Sequence, residues 1–531
     1  MNNNGIKQKY GLWIKYIDLE WQILLIYYLL TSLLFINVYQ HQIDNDGISY
    51  ISLAQKYMTG DFHNAINGYW SPLISWFIIP LLYLGVEPLL AFRIASIGIG
   101  IFTLAGIDKV LSELHVTRYI RILYLLSLSP VIAWSAEYDV GADLLGACLL
   151  VYYMYAVLRD KYQINKSAGF LPGFMGALAY LAKNYNFYFF LLHFTSVNFI
   201  YWANATDKQK KRTIAVNFLS AIVVFSLVSG VWIGLISNKY HKLTVSTAGG
   251  FSLSLVRPNS TGYPMHTDGF LTPPNATAVS AWEDPTYIKS VTWNPFSSDD
   301  DFRFFIKHIL KNALKYLRGI AKNYIFILTI IYFIVTIFFL KRRLDKKVSY
   351  IILTILLYPL GYFFLYYDGL RHVRINIFLF YILSAYIIDG IFVKYQNNKI
   401  ITVSISLILF VSLLALTLTR VNHDYKTNIF NDIYSTSNKL NKYYNMENKN
   451  IANQAGNWNY TCKLSFFLKA RYFGMAKADI TDEQLRMDLI ANKIHYYLVY
   501  GKLKNNIDLL KQEKHFGTVA GDLAIYKVVP L

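Results

Sequence analysis

The sequence is poor in cysteine and in charged residues. Only two of its 531 residues are cysteines, Cys148 within an apolar run and Cys462 in a polar tail, so neither a structural zinc site nor an intramolecular disulfide is expected. Charged residues make up 16% of the chain and hydrophobic residues 55%, with a mean hydropathy of +0.31. So few charges would not keep a globular chain of this length in solution. The composition therefore indicates a polytopic membrane protein.

Acidic residues are outnumbered by basic ones. The chain has 32 aspartates and glutamates against 51 lysines and arginines, a formal net charge of +19. The basic residues lie in short clusters between apolar runs, where they orient a chain in a membrane rather than bind nucleic acid. We therefore expect contact with membrane lipids and no nucleic-acid partner.

Apolar runs of about 18 or more residues recur along most of the chain, and each is long enough to cross roughly 30 Å of hydrocarbon as a helix. They predict a mainly α fold with about eleven transmembrane helices. The predicted spans are 21–39, 88–108, 122–136, 140–158, 168–182, 186–203, 214–236, 324–340, 348–366, 375–393 and 401–419. For the two spans beside Lys183, one long or broken helix pair stays open as an alternative.

The distribution of lysine and arginine predicts the orientation. Lys7, Lys9 and Lys15 precede the first apolar run, which lacks a small-residue cleavage site and predicts an uncleaved signal anchor with a cytoplasmic N-terminus. Counting spans from there puts the later basic clusters in the cytoplasm: Lys109/Arg118/Arg121, Arg159/Lys161/Lys166, Lys208/Lys210/Lys211/Arg212, Lys341/Arg342/Arg343/Lys346/Lys347 and Lys394/Lys399. We expect a multi-pass protein of the plasma membrane.

Two domains follow from this topology. Residues 1–419 form a predicted transmembrane domain with extracytoplasmic loops at 40–87 and 237–319, and within the first loop residues 69–86 predict an interfacial helix. Residues 420–531 form a predicted small extracytoplasmic α/β domain. Its sequence signals are β-like runs at 450–455, 470–474 and 495–501, a helix-start capping box at 481–484, and a hairpin turn at Gly521-Asp522.

Ionisable groups close to the membrane are costly unless they have a function, and the first such group follows the first span. Asp44 and Asp46 lie there, in the string Asp44-Asn-Asp46-Gly-Ile-Ser-Tyr50. A carboxylate at this place can take a proton from an acceptor hydroxyl or amine. The competing interpretation, favoured when the string is taken alone, is that Asp46 caps a helix over 47–58 and Asp44 is solvated.

A second acidic group, Glu137-Tyr-Asp139-Val-Gly-Ala-Asp143, joins the third and fourth spans. Asp139 and Asp143 are one helical turn apart, so both can face one cavity. The helix dipole alone would explain Asp139 at a helix N-terminus, but it would leave Asp143 unexplained.

Cations follow the fifth and ninth spans, on the side where the positive-inside rule disfavours them. They are Lys183 and the segment Asp368-Gly-Leu-Arg371-His372-Val-Arg374. A phosphate would supply a partner for such cations, and guanidinium groups match its oxygens. Snorkelling of Lys183 to the interface and an ion pair between Asp368 and Arg371 are the alternatives, although the second leaves Arg374 unexplained.

These residues carry a resemblance to a known family. The string from Asp46 to Tyr50, followed by Ala54, Gly60-Asp61, Ser71-Pro72-Leu73 and Arg93, resembles the first loop and second span of GT-C glycosyltransferases. The similar enzymes are protein O-mannosyltransferases and lipid A aminoarabinose transferases, of glycosyltransferase family 39 type. The resemblance extends to Asp143-Leu-Leu, to Tyr180-Leu-Ala-Lys183 and to Arg371-His372, and it spans about residues 20–395.

The resemblance implies an inverting transfer of a sugar from a polyprenyl-phosphate donor to an extracytoplasmic lipid, glycan or protein. In that reaction Asp46 is the expected base, with Asp44 and Asp143 as further catalytic carboxylates, and Lys183, Arg371 and Arg374 hold the donor phosphate. The expected substrate-binding residues are Tyr50, Glu137, Asp139, His372, Trp282 and Glu283.

The sequence also departs from the family pattern. Gly47 stands where the family usually has glutamate, so that Asp44 takes over part of the acidic role or metal use differs, and His372 replaces a tyrosine. A divalent metal is compatible with the acidic first loop, but no motif indicates one. In the second loop, residues 266–285 combine prolines with Trp282 and Glu283, which fits either an acceptor-binding lid or a packed surface loop.

Other functional classes remain open. A transporter or flippase of a lipid-linked or anionic substrate would also place charges in its spans, but it predicts internal repeats that the sequence does not show. An enzyme like an O-antigen polymerase or ligase would have arginine-rich outer loops, whereas the early loops here are acidic. A membrane anchor that displays the tail as a binding module would tolerate asparagine in place of Asp46 and Asp143.

Overall fold

The computed structural model describes residues 19–334, 345–395 and 399–529 of the chain. Helices dominate these ranges, and one small sheet lies near the C-terminus. In the first half of the chain the helices are α1 (Leu19–Tyr39), α2 (Asn45–Met58), α3 (Phe62–Ala65), α4 (Leu73–Tyr83), α5 (Pro88–Glu113), α6 (Arg118–Tyr138), α7 (Asp143–Leu158), α8 (Lys161–Ile164), α9 (Phe170–Ala182), α10 (Asn186–Asn204), α11 (Lys208–Lys239) and α12 (Ala248–Leu255). The later helices are α13 (Asp299–Ala321), α14 (Tyr324–Ile334), α15 (Lys346–Leu357), α16 (Leu360–Phe364), α17 (Arg374–Tyr395), α18 (Lys399–Lys426), α19 (Ile429–Asn441), α20 (Trp458–Phe467) and α21 (Asp482–Ala491).

Within the described residues each predicted span coincides at least in part with a helix or a helix pair, and the mainly α, polytopic fold class is confirmed, while the count of eleven spans stays a prediction. Six helical segments of the described residues are long and apolar enough to cross a membrane: Leu19–Tyr39, Pro88–Glu113, Arg118–Tyr138, Lys208–Lys239, Lys346–Phe364 and Leu370–Val393. The helices α7 and α9 are apolar but shorter. The predicted span 324–340 begins as α14, and its residues 335–340 lie outside the described residues, as do Lys7, Lys9, Lys15 and the cluster 341–343. Residues 183–185 between α9 and α10 are not helical, so the two spans beside Lys183 are separate helices.

A buried arginine ties the first helices together. Arg93 of α5 is 1% exposed, and it donates to Glu137 Oε2 at 2.9 Å and to the carbonyl oxygen of Gln42 at 2.8 Å. It also donates to the carbonyl oxygen of Tyr39, the last residue of α1. Because the guanidinium has five N–H donors in a fixed fork, one side chain fixes the end of α1 and the end of α6 relative to α5. These are the helix ends from which the acidic loops begin.

The C-terminal sheet has five strands, β1 (Asn450–Asn453), β2 (Arg471–Met475), β3 (Tyr496–Tyr500), β4 (Leu510–Thr518) and β5 (Gly521–Val528), in the order β2-β1-β3-β5-β4. The pairs of β1 with β2 and β3 are parallel, and β5 is antiparallel to β3 and β4. The capping box of Thr481 and Gln484 forms at the start of α21 as predicted. The predicted hairpin also forms, but the residues between the strands are Val519 and Ala520, and Gly521 already pairs with Thr518.

The second loop joins the sheet to the membrane helices. Tyr472 of β2 donates its N–H to the carbonyl oxygen of Val279 at 2.7 Å, and Leu271 donates to the carbonyl oxygen of Phe473 at 2.7 Å. Ser280 forms a parallel bridge with Tyr472. The second loop thereby extends the sheet beyond its edge strand β2 and covers backbone groups that an open edge would expose.

Candidate active site

A cavity of about 480 Å³ lies where the loops after the first, third, fifth and ninth predicted spans meet. Nine of the twelve residues that the sequence singles out line it: Asp44, Asp46, Tyr50, Asp139, Asp143, Lys183, Trp282, Arg371 and His372. Groups that are far apart in the chain therefore converge on one face, as the counting of spans predicted. Arg374, Glu137 and Glu283 lie behind the cavity wall.

The two aspartates of the first loop exchange the roles that the capping interpretation gave them. Asp44, not Asp46, is the N-cap of α2, and its Oδ1 accepts the N–H of Gly47 at 2.6 Å. Asp46 lies in the first helical turn, where its side chain is free to face the cavity. A cap acceptor must precede the helix with extended backbone, and Asp44 has that geometry, with φ −102° and ψ 171°.

Gly47 is required by close packing at the same helix start. A Cβ atom at Gly47 would lie 2.5 Å from Cγ1 and from the carbonyl oxygen of Val140. The α2 helix therefore packs directly on the loop between α6 and α7, which brings the Asp44–Asp46 segment next to Asp139 and Asp143. The glutamate that the resembling family usually carries here has no room in this arrangement.

Arg371 bridges the two aspartates of the first loop. Its Nη1 lies 3.6 Å from Asp44 Oδ2, and its Nη2 lies 3.5 Å from Asp46 Oδ2. The ion pair that the sequence offered as an alternative, between Arg371 and Asp368, is present at 3.9 Å but does not exclude these contacts. Two buried nitrogen atoms, Nε of Arg371 and Nε2 of His372, have no hydrogen-bond partner within the described ranges.

Lys183 and Asp143 form a second charge pair across the cavity. The chain leaves α9 at Lys183, and the ammonium group donates to Asp143 Oδ1 at the start of α7. The Lys183 Nζ also lies 5.4 Å from the ring centroid of Tyr362, a ring that stacks on His372. Both side chains remain partly exposed, at 20% for Lys183 and 15% for Asp143, so a ligand in the cavity can reach them.

The three predicted residues behind the wall belong to ion pairs. Arg374 donates to Asp139, and the pair is nearly buried. Glu137 accepts from Arg93 and is fully buried. The sequence grouped Glu137 with Asp139 and Asp143, but only the two aspartates line the cavity.

Trp282 forms the roof of the cavity over Asp46. Its indole Nε1 donates to Asp46 Oδ1 at 3.0 Å, and only 8% of the residue is exposed. The next residue, Glu283, points the other way into a buried ion pair with Lys56 at 3.0 Å, and it also accepts from Ser52 at 2.5 Å. The segment around Trp282 is thus a packed part of the wall, the second of the two interpretations of this loop.

Aromatic rings that the sequence did not single out surround Trp282. The ring centroids of Tyr69, Trp70, Phe251 and Tyr263 lie 5.4, 5.7, 5.8 and 5.5 Å from that of Trp282. Their shared edge-to-face geometry gives a rigid aromatic wall beside Asp46. In the sequence, the pair Tyr69-Trp70 directly before Ser71-Pro72 was the feature that could have indicated this aromatic wall.

Asn184 is another residue that the sequence did not reveal. Its Oδ1 accepts from the Ser71 hydroxyl at 2.7 Å, and its Nδ2 donates to the carbonyl oxygen of Tyr69 at 2.8 Å. These hydrogen bonds hold the segment after α9, which includes Lys183, against Tyr69 and Ser71. In the sequence, only its position directly after Lys183 indicated that Asn184 belongs to the site.

Acidic groups outnumber cations in the cavity. Five aspartates line it, Asp44, Asp46, Asp139, Asp143 and Asp368, against Lys183 and Arg371. Burial, together with the like charge of Asp46, raises the pKa of Asp44 to about 7, and Arg371 opposes this rise. In the described part of the chain, no group of three or more His, Cys, Asp or Glu side chains is arranged to hold a metal ion.

No family model matches the sequence, and no curated protein matches it. Solved structures do match its fold. ArnT from Cupriavidus metallidurans, solved with bound undecaprenyl phosphate, has a TM-score of 0.57 at 10% identity, covering 96% of this chain and 99% of that one. The oligosaccharyltransferase from Archaeoglobus fulgidus, in complex with zinc and sulfate, has a TM-score of 0.52 at 9% identity, covering 89% of this chain and 68% of that one. The chain thus shares the polytopic helical fold of these two structures.

Proposed function

We propose that this GT-C chain is a glycosyltransferase that moves a sugar from a polyprenyl-phosphate-linked donor to an acceptor outside the cytoplasm, with inversion at the sugar carbon. The observation that carries the proposal is the meeting of two carboxylates with Arg371 at 3.5 and 3.6 Å in one cavity, opposite a second pair of Asp143 and Lys183. The fold relatives support the donor class, since ArnT was solved with undecaprenyl phosphate.

Asp46 is the proposed general base. It faces the cavity, and the Trp282 N–H holds one of its oxygens and fixes its orientation. In the proposed step Asp46 takes the proton of the acceptor hydroxyl or amine while the acceptor heteroatom forms a bond to C1 of the sugar. The bond between C1 and the phosphate oxygen breaks, and the polyprenyl phosphate leaves with the electron pair. Attack opposite the leaving group inverts C1.

Arg371 and Lys183 are the proposed phosphate-binding cations. A phosphate that enters the cavity competes with the aspartates for the guanidinium, and Nε of Arg371 and Nε2 of His372 offer further contacts. Negative charge grows on the phosphate as the C1–O bond breaks, so these cations stabilise the transition state more than the ground state. Arg374 supports this segment by its pair with Asp139 instead of binding the donor directly.

The proposed orientation places the N-terminus in the cytoplasm and the cavity and the sheet outside. Support comes from the basic clusters between the spans and from the convergence of the four loops on one cavity. A cysteine introduced at Lys442, which is exposed beside the sheet, should react with a membrane-impermeant maleimide in intact cells. Labelling only after lysis would reverse the topology.

The activity is tested with the purified protein in nanodiscs, a panel of radiolabelled polyprenyl-phosphate sugars and a membrane extract as the source of acceptor. We expect label transfer by the wild type and a loss of about 10²–10⁴-fold in Asp46→Asn. Asp479→Asn is the matched control, because Asp479 is exposed in the C-terminal domain and does not line the cavity. Equal transfer by Asp46→Asn would exclude Asp46 as the base. If the wild type transfers no label but moves the labelled lipid across a bilayer, the chain is a flippase.

A further inference from the structure

The helix α13 presents three different faces. The face toward the protein carries half-buried His308 and the buried residues Asn312, Tyr316 and Ile320. The exposed apolar face has members at spacings of three and four: Phe302, Ile306, Leu310, Leu314 and Leu317. The basic face next to it consists of Arg303, Lys307, Lys311 and Arg318.

This arrangement differs from that of a helix in water. A helix on the surface of a soluble domain buries its apolar stripe, whereas α13 buries only Ile320 beside Asn312 and Tyr316 and leaves five large apolar side chains exposed. The apolar helix α14 follows directly, and the two axes form an angle of 105°. A basic amphipathic helix that bends sharply into an apolar one has the form of a helix lying in the membrane interface.

The basic face is not neutralised by the protein. Within the described ranges none of these four basic residues forms an ion pair with a carboxylate. At the depth of the lipid headgroups, the apolar face of α13 would lie in hydrocarbon, and the long lysine and arginine side chains would reach the phosphates. Phosphate oxygens of anionic lipids are complementary to such a row of charges.

Asn312 and Lys315 connect α13 to the cavity. Asn312 Nδ2 donates to the carbonyl oxygens of Phe363 and Leu365 at 3.2 and 3.0 Å, and Lys315 Nζ donates to that of Tyr367 at 2.8 Å. These carbonyls belong to the segment 362–372, which carries Arg371 and His372 into the cavity. The hydrogen bonds therefore couple the position of α13 to that of this segment.

We propose that α13 is an interfacial helix that binds anionic phospholipid headgroups through its basic face. The binding holds the segment 362–372 at the depth where Arg371 meets the cavity. The occupant is a lipid surface, and the complementary charge and the adjacent apolar face together select it over a soluble partner.

The first test measures lipid retention by the full-length protein, which does not depend on sugar transfer. Wild type in mixed micelles of phosphatidylcholine and phosphatidylglycerol should retain phosphatidylglycerol in preference to phosphatidylcholine, as measured by native mass spectrometry. In the variant Arg303→Gln/Lys307→Gln/Lys311→Gln the ratio of retained phosphatidylglycerol to phosphatidylcholine should be at least roughly tenfold lower. Each basic residue near an anionic surface raises the affinity for that surface by about fivefold. The control Lys439→Gln/Lys442→Gln/Lys511→Gln removes three exposed charges of the C-terminal domain and should retain the preference. Equal preference in wild type and the α13 variant overturns the proposal.

The second test locates the apolar face. Both native cysteines are buried, so a bimane label on Leu310→Cys reports a single exposed site. Lipids that carry a spin label near the headgroup should quench its fluorescence, whereas a label on Asp479→Cys should not be quenched. Absence of quenching at residue 310 would overturn the lipid assignment. If the unlabelled Leu310→Cys variant then forms a disulfide cross-link between two copies, the apolar face belongs to a second copy of the chain.

Discussion

The indole of Trp282 donates its N–H to Asp46 at 3.0 Å, across 236 residues of sequence. The backbone of Trp282 is itself held, because its carbonyl oxygen accepts from Ser49 at 3.3 Å and from the Trp70 indole at 3.2 Å. The proposed base is therefore oriented by the second loop, which is anchored back on the helix that carries the base.

Trp282→Phe keeps an aromatic side chain, although a smaller one, and removes this donor. A hydrogen bond to a charged group contributes about 1.5–3 kcal/mol, so we expect kcat/KM for sugar transfer to fall by roughly 10- to 100-fold. Trp70→Phe is the matched control, because the Trp70 indole donates to a neutral carbonyl, and its effect should stay below about tenfold. An unchanged kcat/KM in Trp282→Phe would mean that Asp46 is oriented without the indole.

Lys56→Met tests the buried pair that anchors the second loop. Lys56 and Glu283 are each 3% exposed, and removing one partner leaves a buried charge without compensation. We expect the free energy of unfolding to fall by about 3–5 kcal/mol, measured by thermal unfolding in detergent. Arg118→Gln breaks a pair with Glu20 in which both side chains are about half exposed, and it should change stability by less than about 1 kcal/mol. Similar shifts in both variants would contradict the anchoring role.

Gly47→Ala probes the close approach of α2 to Val140. The added methyl group would lie 2.5 Å from the Val140 carbonyl oxygen, and such overpacking costs about 1–3 kcal/mol of stability. Gly98→Ala in α5, where a Cβ meets nothing within 4 Å, should be neutral or slightly stabilising, because alanine favours helix more than glycine. The melting temperatures of the two variants check this difference. A stable Gly47→Glu variant would refute the packing argument.

Donor binding should depend on pH through Asp44. Because its pKa is raised to about 7, the group is mostly protonated at pH 6 and mostly ionised at pH 8. Ionisation adds a negative charge beside Arg371, so the affinity for a polyprenyl-phosphate sugar, a phosphodiester whose single charge is constant over this range, should fall by up to about tenfold as the pH rises through 7. Isothermal titration at pH 6, 7 and 8 measures the trend. Asp44→Asn should bind with nearly constant affinity over this range, and a pH trend equal to that of the wild type would exclude Asp44 as its source.

The sequence predicts the helices and the convergence of the loops well, because both follow from local hydropathy and from the alternation of sides. Even a single apolar run gives the position of α1 or α5 to within a few residues. The same reasoning brings Asp46, Asp143, Lys183 and Arg371 to one cavity without any knowledge of their contacts.

Contacts between distant residues are what the sequence does not give. Whether Asp44 or Asp46 caps α2 depends on the backbone angles of one turn, and either residue type can do it. Glu283 carries the same charge as a substrate-binding carboxylate, but a lysine 227 residues earlier neutralises it. The role of Glu283 was therefore decided by Lys56, a residue with no motif around it.

The extension of β2 by the second loop has a consequence for biosynthesis. Residues 271–280 are made before all the helices from α13 to α20, yet their backbone partners, Tyr472 and Phe473, come after these helices. The stretch that leads to Trp282 must wait for its partner strand while those helices are being made. The cavity roof is therefore finished last, so a chain interrupted before β2 carries every charged group of the cavity and lacks the support that holds its roof in place.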